Sequence, residues 1–163
     1  MKKFITLFSI IMLLLIFDNA FVPFFSIKGF IPSVLFTFII SYSIVNESWE
    51  GLWVGVFAGV LQDLYFNNVF GINAFVNMLS CVLAGFIGVN IFKEKIFVPI
   101  ISNFFLSVFK GILVFVILYL LKINMDAKII FFSSIYNMII SIPMYKLVYK
   151  LCNKQYMQRK WKF

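Results

Sequence analysis

Six carboxylates carry the acidic chemistry of this 163-residue chain: Asp18, Glu47, Glu50, Asp63, Glu94 and Asp126. Histidine is absent, which removes imidazole acid–base work and His-ligated metal sites. The two cysteines, Cys81 and Cys152, fall in an apolar stretch and in a basic tail, and two thiols without further ligands make no zinc site. No nucleophile–base pair emerges, so no catalytic, cofactor-binding or metal-ligating residue is assigned. What stands out is a set of polar residues inside apolar runs: Asp18, Asp63, Asn77, Lys110 and Asn137.

The elements that hold these residues are set by composition. The chain is 63% hydrophobic, 20% aromatic and 12% charged, with a mean hydropathy of +1.04. Soluble domains are about 25% charged, so a polar surface cannot be built from this supply. A soluble monomer is excluded, and so is intrinsic disorder, which needs low hydrophobicity. The expectation is an all-α integral membrane protein with six transmembrane helices of ~20 residues joined by short loops. The net charge of +8 does not indicate nucleic acid, because the excess lies at membrane edges and not on a folded basic surface.

The apolar runs predict spans at about 4–25, 31–45, 48–66, 70–92, 96–121 and 127–149, in a single domain over residues 1–163. Pro32 and Pro99 sit near helix starts, where a missing N–H costs least, and Pro143 is expected to kink the sixth span. Met1-Lys2-Lys3 before an apolar stretch also suits a signal peptide. The run continues past Asp18 to Phe25 without an A-x-A-like site, so a retained first helix is expected.

Charge predicts orientation. With six spans, both termini share a side with the Asn46–Glu50 and Lys93–Lys95 loops, and that side collects ten cations. The other side has three, Lys28, Lys122 and Lys128, while Lys110 lies within a span. The asymmetry places both termini in the cytoplasm. The basic tail 150–163, ending Arg159-Lys160-Trp161-Lys162-Phe163, reads either as an anchor on anionic lipid or as a docking site for a cytoplasmic partner.

Depth then aligns the polar residues. Asp18, Asp63 and Lys110 lie 15, 15 and 14 residues from helix ends expected near Lys3, Ser48 and Ile96. At 1.5 Å per residue each is ~20–23 Å from the cytoplasmic edge of a ~30 Å core. Asn77 falls level with them and Asn137 slightly deeper, giving one layer in the outer half of the membrane. Ionisable groups at such depth are costly and usually face a bundle interior or a cavity. The layer is either a polar network that fixes helix register, with Asp63 and Lys110 as an ion pair, or a binding site for an ion or polar ligand.

The third span has the most ordered pattern. Gly51, Gly55, Gly59 and Asp63 recur every four residues and share one slowly drifting helix stripe. Small residues let membrane helices approach closely, so the stripe is a candidate packing or partner surface. The fourth span adds Asn73, Asn77, Ser80, Ala84 and Gly88, after an Asn67-Asn68 turn and a Gly71-Ile72-Asn73-Ala74 helix entry.

The stretch Gly55-Val56-Phe57-Ala58-Gly59-Val60-Leu61-Gln62-Asp63, followed by Gly71-Ile72-Asn73-Ala74-Phe75, resembles the G-x-x-x-G-x-x-x-D pattern of the rod shape-determining MreD family. Pro32 matches the proline expected at the start of the second span; an acidic residue often follows it in the family, and here Ser33 does. The resemblance implies a non-enzymatic scaffold in the plasma membrane, part of the bacterial elongation and peptidoglycan-synthesis complex, with no cofactor. Its implied direct partner is MreC, and through the complex MreB, RodA and a class B penicillin-binding protein. The rival reading is a substrate-binding membrane subunit of an energy-coupling-factor vitamin transporter, also a small six-helix protein whose fold MreD is thought to resemble. Fold likeness alone does not separate the two.

Overall fold

A computed structural model describes residues 2–26, 31–65, 70–90, 97–123, 126–154 and 157. These form six α-helices: α1 (Lys2–Ala20), α2 (Val34–Val45), α3 (Ser48–Tyr65), α4 (Ile72–Asn90), α5 (Phe97–Leu120) and α6 (Lys128–Cys152), with a 3₁₀ turn at Val22–Phe25 after α1. The Lys93–Lys95 loop, Lys28, Asn67-Asn68 and the tail beyond residue 157 lie outside the described residues.

The helix ends have local causes. Pro23 sits in the 3₁₀ turn that follows α1, and the Phe24 N–H bonds back to the Phe21 carbonyl at 3.1 Å. Pro32 biases its predecessor away from helical backbone, and Ser33 then caps α2 by accepting the Phe36 N–H at 3.2 Å. Pro99 lies in the first turn of α5, where its missing N–H is harmless. Helix α6 runs on through Pro143.

Four helices, α1, α4, α5 and α6, are long and apolar enough to cross a membrane. The six-span expectation is therefore met directly by four. Helix α3 is long enough, but Glu50, Gln62 and Asp63 dilute its apolar character. Helix α2 has 12 residues, about 18 Å at 1.5 Å per residue, which is short of a ~30 Å core.

That short helix is the centre of the bundle. Every α2 residue from Val34 to Ile44 is buried, and α2 touches all five other helices. A helix that is apolar all round needs such surroundings. Among the described residues helix α1, by contrast, meets only α2 and α3 of the other α-helices and leaves Phe4, Leu13 and Ile16 mostly exposed. In a lipid solvent those outward side chains are at home.

Directions alternate along the chain, as the end contacts show. At one end Lys3 of α1 pairs with Glu50 of α3 at 2.7 Å, and Glu50 accepts the Tyr42 hydroxyl of α2 at 2.9 Å. At the same end Asn46 donates to Cys152 Sγ of α6 at 3.3 Å, and Met157 tucks back into the core. We call this the terminal end, since it holds the start of α1 and the end of α6. The opposite end is the loop end, where Asp18 and Asp63 lie in the last turns of α1 and α3.

Candidate functional site

Helix α3 lies against α4 in the most extensive helix pair of the bundle. A Cβ built on Gly55 would stand 2.8 Å from the Asn77 carbonyl oxygen, and one on Gly59 would collide with the Asn73–Ala74 backbone. Gly51 faces Ser43 of α2 and the Cys81 carbonyl of α4. On α4 itself, Gly85 meets the Ser48 backbone and Gly88 the Ile44 carbonyl. The glycine stripe thus faces inward within the chain, against α4 and α2. Asp63 extends this line at its loop end.

Asp63 has a defined task. Its Oδ2 accepts the backbone N–H groups of Gly71 (3.1 Å) and Ala74 (2.9 Å), and its Oδ1 accepts the backbone N–H and side-chain amide of Asn73, each at 3.0 Å. A helix N-terminus has unpaired N–H groups and a partial positive charge, and a carboxylate answers both. Gly71 adopts a φ of +99°, a region that suits glycine, and this turns its N–H toward Asp63.

Asp18 does the same for α2. Its Oδ1 accepts the Val34 N–H at 2.8 Å, while Oδ2 accepts the Leu35 N–H and the Ser33 hydroxyl at 3.0 Å each. The Ser33 N–H donates to Asn137 Oδ1 of α6 at 2.8 Å, and the Asn137 amide donates to Ser107 of α5 at 2.7 Å. One network therefore joins α1, α2, α5 and α6.

Lys110 enters a third group. Its Nζ donates to Asn77 Oδ1 at 2.9 Å and stands 4.4 Å from the centre of the Phe36 ring. The Asn77 amide in turn donates to Gln62 Oε1 at 2.8 Å. The expected Asp63–Lys110 ion pair is not formed; among the described residues the one ion pair is Lys3–Glu50. The reason is that both Asp63 oxygens are already taken by the α4 N-terminus, while Lys110 reaches the neighbouring amide.

The five polar residues expected in one layer are thus divided among three hydrogen-bonded groups: Asp18 with Asn137, Asn77 with Lys110, and Asp63 by itself at α4. A cleft of about 200 Å³ lies among them and is bordered by Ser33, Asn73, Lys110 and Asn137, one or more from each group. Among the described residues no group of three or more Cys, Asp or Glu side chains is placed to hold a metal.

Sequence reasoning missed Ser33, Gln62 and Ser107 as participants. Ser33 had a readable signal, a capping residue after a proline and before an apolar run. Gln62 and Ser107 had none, because their roles depend on which helix faces which.

A family model described as rod shape-determining protein MreD matches residues 1–155. The chain belongs to the MreD family. As a member it is a non-enzymatic membrane protein concerned with cell shape. No curated protein and no solved structure matches the chain. In this MreD-family chain Asp18 and Asp63 are occupied as helix caps.

Proposed function

We propose that this protein is a scaffold subunit of the bacterial cell-elongation machinery, which binds MreC directly and through it joins MreB, RodA and a class B penicillin-binding protein. The observation that carries the reading is the family match along residues 1–155. Its arrangement in the plasma membrane is six spans with both termini cytoplasmic, supported by ten cations on the terminal side against three on the other.

The partner surface is an outward one. Gly51, Gly55 and Gly59 are buried within the chain, so the stripe serves MreC binding indirectly, by holding α3 against α4. The same holds for Asp63 and Gly71, which fix where α4 begins.

The decisive experiment is co-purification of MreC from membranes. The wild-type chain should retain MreC, and Gly59→Leu should lose it at equal membrane abundance. Full MreC recovery by a Gly59→Leu chain that still accumulates would reject the indirect role of the stripe. Absence of MreC from the wild-type complex would reject the scaffold reading itself.

A further inference from the structure

The cleft between the loop-side halves of α5 and α6 carries a charge, that of Lys110, beyond the hydrogen bonds that join the helices. Its deep wall carries Ser107 and Lys110 of α5 with Ser133 and Asn137 of α6. Nearer the loop end along their own segments come the apolar Ile31, Val114 and Ile129 together with the polar Ser33 and Asn73, while Phe36 stands against Lys110. At about 200 Å³ it has room for ~7 waters at ~30 Å³ each, and is smaller than the ~300–1,000 Å³ of drug-sized ligand sites.

Lys110 decides which ligand fits. An ammonium offers three donors and no acceptor. One N–H goes to Asn77, and the Phe36 ring covers another side; neither partner carries a negative charge. The two carboxylates nearest in depth are turned elsewhere, Asp18 onto Ser33, Val34 and Leu35, and Asp63 onto Gly71, Asn73 and Ala74. Each offsets the partial positive charge of a helix N-terminus. Lys110 is then the one charged side chain on the cleft wall; Asp18 and Asp63 act on it through space, but neither stands within ion-pair distance of it among the described residues. A cation in such a position gains from a counter-charge.

We propose that this cleft binds a small anionic ligand through a carboxylate or phosphate oxygen set against the Lys110 ammonium, with the Ser107 hydroxyl and the Asn137 amide beside it. Ile31, Val114 and Ile129 take the body of the ligand. The same oxyanion is offered by a small soluble organic anion and by a lipid headgroup, and the experiment separates the two sources.

The test uses the full chain in phosphatidylcholine nanodiscs, with thermal unfolding followed during titration of butyl phosphate or hexanoate. Butyltrimethylammonium at equal ionic strength is the control. Either anion should give a saturable rise in Tm that the cation does not. This comparison needs no variant, and equal behaviour of anions and cation in the wild type overturns the site. Ser133→Leu fills the cleft and keeps the ammonium, and Lys110→Gln removes the charge while keeping a donor toward Asn77. Both should weaken anion binding at least tenfold, and undiminished binding by both also overturns the site. Phosphatidylglycerol nanodiscs distinguish the source. If the lipid phosphate is the ligand, the Tm difference between wild type and Ser133→Leu widens there without added anion, and butyl phosphate adds nothing further. That result keeps the oxyanion site and assigns it to a headgroup.

Discussion

Asp18 stands to α2 as Asp63 stands to α4. Each lies near the loop end of one helix and accepts backbone N–H groups from the start of the next, so that one carboxylate sets both the depth and the direction of the returning helix. The pairs α1–α2 and α3–α4 are two copies of one construction. In a medium without water, a helix N-terminus must find its acceptors within the protein.

Removing either carboxylate should therefore loosen the helix it caps. Asp63→Asn exchanges one acceptor oxygen for a donor facing backbone N–H groups and should cost about 1–3 kcal/mol. Asp63→Leu should cost more. Thermal unfolding in detergent, read by fluorescence-detected size exclusion, measures both. A Tm for Asp63→Asn equal to that of the wild type would refute the cap as a stabilising element.

Asp63 and Lys110 should couple only weakly. They form no ion pair and act on each other only through space, so Lys110→Met should rescue Asp63→Leu by less than about 1 kcal/mol. A rescue of more than about 1 kcal/mol would mean the charges couple despite their separate partners.

Glycine substitutions should rank by what the new Cβ meets. Gly59→Ala and Gly88→Ala drive a methyl into backbone of a neighbouring helix, so the helices must separate, at a cost of about 1–3 kcal/mol or more. Gly111→Ala meets only the Ile130 side chain, which can turn away, and should be milder. Gly71→Ala meets nothing within 4 Å and suffers only from its φ, about 1–2 kcal/mol. Tm values for the four variants should show Gly111→Ala as the least affected; a different order would contradict the close approaches.

Orientation is checked by labelling. In a background with Cys81 and Cys152 replaced, a cysteine at Lys122 on the loop end should react with an impermeant thiol reagent in intact cells. A cysteine at Lys162 should react only after permeabilisation. The reverse pattern would place the termini outside.

Much of this was legible in the sequence. Six helices lie along the six apolar runs, but α1 stops at Ala20, short of the expected 25, because the chain turns at Pro23, which the sequence reading passed over. Distance along each helix was legible, since rise per residue is fixed. Azimuth was not. The level match of Asp63 and Lys110 says nothing about which way each side chain points, and the ion pair expected from it gave way to Asn77 and the α4 N-terminus. Gly85 escaped notice because it lies off the four-residue stripe, yet its Cβ position is occupied by the Ser48 backbone. Met157 lies in a basic tail that reads as surface-bound, and its burial within the core cluster depends on tertiary packing.

The short, enclosed α2 also bears on how the protein is made. A segment of 12 helical residues is too short to partition stably into a bilayer by itself, and its serines and threonine have no lipid-side partners. When α2 leaves the ribosome only α1 precedes it, so Asp18 is the first anchor it meets. The helices that cover its remaining faces, α3 to α6, are synthesised afterwards. The expected consequence is that α2 is enclosed only once α6 is made, and a chain halted before α6 should be degraded faster than the full chain.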